Sequence, residues 1–137
     1  MNFSEDFLHY VWQFRSFDHH KLKTADGEEL KILHQGFLNK NAGPDFNNAK
    51  IVIGETLWAG NVEIHIKSSD WFVHSHQTDP AYDNVILHVV WEDDQTISLP
   101  NGNKLPTLEL KNRVSTTVLN NYQNLISAKE AIPCHSQ

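Results

Sequence analysis

The sequence has 137 residues, 39% hydrophobic and 20% charged, enough for one globular domain over residues 1–137 with a core that needs no staples. A formal charge of −6 counts against a simple nucleic-acid binder, which needs a basic footprint, and no apolar run reaches membrane-spanning length. The single cysteine, Cys134, can make no internal disulfide and is too isolated to nominate as a nucleophile; with no visible secretory leader, the expectation is a protein of the reducing cytoplasm.

In chain order, residues 3–15 carry Phe7, Leu8, Val11, Trp12 and Phe14 at helical spacing behind a capping Ser4, with Glu5 and Asp6 at the positive end of the helix dipole. Residues 20–35 alternate around Asp26-Gly27 and read as a hairpin. A polar loop at 39–43 precedes a strand at about 50–53. Gly54-Glu55-Thr56 turns the chain into a second strand, broken or bent near Ala59-Gly60 and running to Lys67.

Ser69 or Asp70 caps a short predicted helix over 71–77, ended by Asp79-Pro80. Residues 85–91 are almost continuously apolar and β-branched, the pattern of a strand covered on both faces. Two short strands, 96–99 and 107–110, flank the turn cluster at 100–103. Asn112 caps a last helix with Val114, Val118, Leu119, Tyr122, Leu125 and Ile126 as its apolar positions. The expected fold is α+β, a mixed or mainly antiparallel sheet with flanking helices; a mostly β sandwich or barrel is the alternative if 71–77 is extended.

Chemistry concentrates in residues 43–91. On a strand alternate residues share a face, so Val62, Ile64 and Ile66 belong to a core while Glu63, His65 and Lys67 line the opposite face. Asp45 enters just before the neighbouring strand and falls close to Glu63. Two carboxylates at hairpin distance repel each other, which makes them natural ligands for a hard cation such as magnesium or manganese. That cation could polarise a phosphoryl oxygen or activate a water.

Pro44-Asp45, the hairpin, and Glu63-Ile64-His65 resemble the Pro-Asp … Glu-x-Lys hairpin of the restriction-endonuclease-like PD-(D/E)XK nuclease superfamily, as does the order helix, three strands, helix, strand. The resemblance implies that Asp45 and Glu63 hold the metal, with the carbonyl of Ile64 as a further ligand. His65 stands where the superfamily has lysine; it would serve as base or third ligand, with Lys67 on the same face as a phosphate contact. Nucleic acid is then the implied substrate, against the acidic net charge.

A second resemblance spans nearly the whole chain. Asn-Ala-Gly-Pro-Asp-Phe at 41–46, Gly-Asn-Val-Glu-Ile-His at 60–65, Ser-Ser-Asp-Trp at 68–71, His-Ser-His at 74–76 and the run 82–90 together resemble the bacterial domain of unknown function 2851 family. It implies no activity. It implies an amino-terminal part of a longer architecture, with the last helix lacking a packing partner supplied by a C-terminal region.

Plainer readings stand beside each of these. Asp45 sits among turn formers and could merely fix its loop. Glu63 could be an exposed strand residue paired with Lys50, and His88 a core histidine bonded to a neighbour. His74 and His76 would share a face on a strand and bind a transition metal with His65 or His88; on a helix they would diverge. Three functions follow: a divalent-metal-dependent phosphodiesterase, a non-catalytic binding or scaffold module, and a histidine-ligated transition-metal site.

Overall fold

The computed structural model describes residues 4–74 and 76–131. Cys134 lies outside them. The first helix, α1 (Glu5–Gln13), buries Phe7, Leu8, Val11 and Trp12, the stripe its spacing predicts. Ser4 is the cap residue by position, but its side chain makes no capping bond. Phe14 is 61% exposed because the helix has ended: Arg15 adopts φ 53°, and its Nη2 donates to the carbonyl of Ile32 at 2.9 Å. The predicted hairpin forms only partly. Lys23 and Glu29 make one isolated bridge, and the second arm becomes β1 (Leu30–His34).

A short β2 (Phe37–Leu38) was not anticipated. It is followed by β3 (Phe46–Ile53), which starts four residues earlier than expected, and β4 (Thr56–Lys67), which is unbroken at Gly60. Strands β1 and β2 both pair antiparallel with β3, and β3 with β4. The crossover out of β4 holds α2 (Asp70–Val73) and two 3-10 turns, His76–Thr78 and Pro80–Tyr82. It returns the chain as β5 (Val85–Glu92), parallel to β4; β6 (Thr107–Glu109) is parallel to β5. The result is a mixed six-stranded sheet in the order β1-β3-β4-β5-β6, with β2 also on β3. This is the expected α+β class. The helical turns of α2 within 71–77 exclude the condition set for the all-β alternative.

The predicted bend lies in β3, not in β4. Between the pairs Ala49↔Gly60 and Phe46↔Val62, β3 advances three residues while β4 advances two. The extra residue is a bulge at Asn47-Asn48, where Asn48 takes φ 62° and its N–H donates to Asn61 Oδ1 at 3.2 Å. Continued without the bulge, the register would set Asp45 opposite Ile64, on the core face. With it, Phe46 stays in the core opposite Val62, and Asp45 comes opposite Glu63.

The main core lies between the sheet and α1, with the helix α3 (Thr116–Ala131) packed beside it. Asn112 does not cap α3; the helix begins after Ser115, whose Oγ accepts the N–H of Val118. Val118, Leu119 and Tyr122 pack on the core, whereas Leu125 and Ile126 are 51% and 37% exposed. A second core of Trp71, Val85, Ile97 and Leu105 forms around the crossover. Ser68 and Asp94 fasten its start: Asp94 accepts from the Ser69 N–H at 2.9 Å and from the Ser69 hydroxyl at 2.8 Å.

Gly60 permits the close approach of β4 and β5. A Cβ there would lie 2.5 Å from Ile86 Cγ2 and 2.6 Å from the carbonyl oxygen of Asn84. Gly60→Ala is therefore expected to destabilise the fold by about 1–3 kcal/mol in urea unfolding, because backbone has to move. An unchanged midpoint would show that this contact does not constrain the strands.

Candidate metal centre

Alternation along β4 holds on the core side, where Val62 and Ile64 are fully buried. It does not leave the opposite side open. Glu63 is 4% exposed and His65 2%, because the crossover folds back over that face. On the face opposite the core Glu63 and His65 are a buried polar layer between the sheet and the second core. The exposed-strand reading of Glu63 fails for the same reason, since Lys50 pairs with Ala59.

Two imidazoles converge on one carboxylate oxygen. Nε2 of His76 lies 2.6 Å from Glu63 Oε2, and Nε2 of His65 lies 3.3 Å from the same atom. His65 Nδ1 lies 2.7 Å from Nε2 of His88. Behind them Trp71 sets its edge against both His76 and His88, with ring centroids 5.1 and 5.3 Å away. Tyr82 stacks on His76 at 3.7 Å. A cleft of about 300 Å³ opens beyond His76 and Tyr82, against residues 98–101.

On the other side of Glu63, its Oε1 accepts the backbone N–H of Asp45 at 3.2 Å, and Asp45 Oδ2 accepts the N–H of Ile64 at 2.8 Å. Asp45 thus does more than fix its own loop, which Asn39 shapes through its amide. The two carboxyl groups also hydrogen-bond each other, so they share a proton. His9 Nε2 stands 3.5 Å from Asp45 Oδ1 as a long ion pair.

The electrostatics follow from this packing. Burial, then the charge of Asp45, pushes Glu63 up to about 10 from its ordinary 4.5. Burial opposes ionisation of Asp45 too, but His9, the Ile64 N–H and the bond to Glu63 outweigh it and hold Asp45 below its usual range. Burial tends to lower His9, and the Asp45 carboxylate more than offsets that and raises it. Burial, then the imidazole of His88, holds His65 down to about 3; burial, then His76, does the same to His88. Burial and then His74 also lower His76.

Read as an ion pair, the 2.6 Å contact would need a charged His76 and an ionised Glu63. Burial disfavours both, so it is a hydrogen bond from His76 Nε2–H to a neutral carboxyl that gives its own proton to Asp45. The histidines then form a consistent chain of donors: His88 Nε2–H to His65 Nδ1, and His65 Nε2–H to Glu63. Among the described residues His76 Nδ1 and His88 Nδ1 have no hydrogen-bond partner.

The predicted residues are thus only partly assembled. Glu63, His65 and His76 offer ligand atoms within 4.8 Å of one another, all three residues buried. Asp45 flanks this set without joining it. His88 is fully buried and bonded to His65, as the core-histidine reading expected. Lys67 ends β4 exposed, with its N–H bonded to Asp70 Oδ2 at 3.1 Å. His74 and His76 lie on neither one strand nor one helix; their rings stack 5.5 Å apart. His74 belongs to a second set, with Glu5 and His65.

Glu5 and His9 were missed as site residues. Their spacing of four puts them on one stripe of α1, but nothing local says that this stripe overhangs β4.

The family described as "Protein of unknown function (DUF2851)" matches residues 5–137. The chain belongs to this family. No curated protein and no solved structure matches it. The motif blocks by which the sequence resembles DUF2851 are also those that build the polar layer: Asp45, Glu63, His65, His76 and His88 each fall in one of them. No helix among the described residues of this DUF2851 chain is long and apolar enough to cross a membrane.

The shifts set the pH dependence of the metal-free protein. His65 and His88 resist protonation when folded, so stability falls as pH drops through about 6.5 toward 3. Glu63 keeps a proton that the unfolded chain releases above 4.5, so its contribution falls as pH rises toward about 10. Two imidazoles outweigh one carboxyl between 4.5 and 6.5. The melting temperature in chelator should therefore peak near pH 6–7, and Glu63→Gln should flatten the alkaline arm. An alkaline arm of equal slope in that variant would assign it to another group.

Proposed function

We propose that this chain carries a one-cation centre that hydrolyses phosphodiesters, with Glu63, His65 and His76 as the protein ligands. The observation that carries the reading is the convergence of two Nε2 atoms on Oε2 of Glu63 in a buried layer. Such a layer frustrates every charged form of its own residues, and a divalent cation relieves this. It would take the Nε2 lone pairs of both imidazoles once their protons had moved to Nδ1, and would stabilise the ionised carboxylate as Glu63 gives up its proton. Two nitrogens and one oxygen suit manganese or zinc better than magnesium, which prefers oxygen and keeps its waters.

Three protein ligands leave a further position for a water or a phosphoryl oxygen. The cation would supply the positive charge that a net charge of −6 otherwise denies to a phosphate. Asp45, with its side chain 23% exposed, fits the group that takes a proton from the attacking water. His88 would hold the ring of His65 by accepting from its Nδ1–H. Support for a phosphodiester, rather than another hydrolysable bond, is topological. The chain order α1, β1 to β4, helical crossover and β5 is near the helix, three strands, helix, strand of the nuclease resemblance, with β2 as an extra short strand, and the β3–β4 register brings Asp45 opposite Glu63.

A second reading has an observation in its favour. Buried ligands are typical of structural sites, so the cation could instead pin the crossover to β4 in a non-catalytic module. The two separate experimentally. Calorimetry with manganese and zinc should show one ion per chain, with affinity reduced about 10–100-fold in Glu63→Gln and in His76→Ala. Cleavage of bis(p-nitrophenyl) phosphate and of single-stranded DNA and RNA should need the ion, and Asp45→Asn should lower the rate about 100-fold while the ion still binds. Tight binding with no cleavage of any probe selects the structural reading. No binding in the native chain removes both.

A further inference from the structure

We propose that Glu5 and His74, with His65, form an outer entry position through which the cation reaches the buried centre; this rests on the ligand assignment above. The inner ligands are 4%, 2% and 7% exposed, so a hydrated ion cannot meet all three at once. It has to exchange its waters for protein atoms in steps.

The second set supplies such a step. Ligand atoms of Glu5, His65 and His74 lie within 4.8 Å of one another, and their burial grades outward: His65 buried, Glu5 half-buried, His74 exposed. The rings of His74 and His65 stack with centroids 5.1 Å apart and planes 9° apart, and those of His65 and His76 lie 5.1 Å apart at 26°. Three imidazoles thus lead from solvent into the polar layer. Glu5 comes from the first turn of α1 and His74 from the end of α2, so the entry lies where helix and crossover meet over β4.

The two sets are successive positions of one ion, not a two-ion site. His65 Nδ1 is engaged by His88 at 2.7 Å, which leaves one lone pair, on Nε2. That lone pair serves one cation at a time. A small turn of the His65 ring transfers the ion from the outer pair, Glu5 and His74, to the inner pair, Glu63 and His76.

Cobalt(II) is a suitable probe, because its visible spectrum reports coordination. Chelator-stripped full chain would be mixed with cobalt in a stopped-flow instrument and counted by native mass spectrometry. One cobalt per chain is expected in the native protein and in Glu5→Gln/His74→Gln. In the double variant loading and chelator-driven release should slow together, each by about tenfold, because the charged collecting position is gone. The dissociation constant should then stay within about twofold, as equal changes in both rates require. Two ions per native chain, or unchanged loading, overturns the proposal. So does a tenfold weaker constant with unchanged loading, which would make Glu5 and His74 ordinary ligands. A native chain that binds no cobalt at all instead removes the inner centre. Far-ultraviolet circular dichroism identical to the native chain establishes that the variant is folded.

Discussion

One inserted residue decides which face of the sheet carries the chemistry. In a strand a shift of one exchanges the faces, so the bulge at Asn47-Asn48 cannot be removed without moving Asp45 from the side of Glu63 to the side of Val62 and Ile64. The same shift keeps Phe46, fully buried, inside the core. Asn48 meets the backbone cost with a left-handed conformation that asparagine tolerates well, and its N–H is taken by Asn61 across the strand pair. The placement of His9 against Asp45, and of Asp45 against Glu63, depends on that register.

The polar layer it creates is costly in isolation, and the fold answers with enclosure. Trp71 is 2% exposed and packs on Val85, Ile97 and Leu105, while its ring edge meets His76 and His88. The Ser68–Asp94 cluster ties the crossover to the loop after β5 at a point outside the layer. The ring of His76 is therefore placed by the packing of the second core, not by its own strand or helix. Within the layer, one proton between Asp45 and Glu63 and three neutral imidazoles keep the buried charge small.

Much of this was legible locally. Strict alternation at residues 62–67, the apolar run of β5 and the stripe of α1 each depend on neighbours in sequence, and each formed. The features that were not legible depend on distant packing. Asn47 and Asn48 are turn-forming residues with no strand signal of their own, so the sequence shows β3 only from about residue 50, after the bulge. Glu63 and His65 looked like one exposed face, because nothing in β4 announces that residues 68–84 return over it. Leu125 and Ile126 followed the helical pattern of α3, yet remain exposed. Glu5 looked like a dipole-compensating acid, a role any first-turn carboxylate can fill; its position over His65 follows only from how α1 crosses the sheet.

Histidine at position 65 changes what the hairpin can do. A lysine there would bring a fixed charge into a layer that Asp45 alone balances, and its amine would have no use for His88. An imidazole stays neutral under burial and keeps two distinct nitrogens, one held by His88 and one facing Glu63. Without a cation the His65 proton belongs on Nε2, donating to Glu63. With one on Nε2 it must move to Nδ1 and donate to His88, whose own proton then lies on the unpartnered Nδ1. The pair can adopt either arrangement without moving a heavy atom. At position 65 a histidine, unlike a lysine, thus adds no permanent charge to the layer and carries a proton whose position can follow its surroundings.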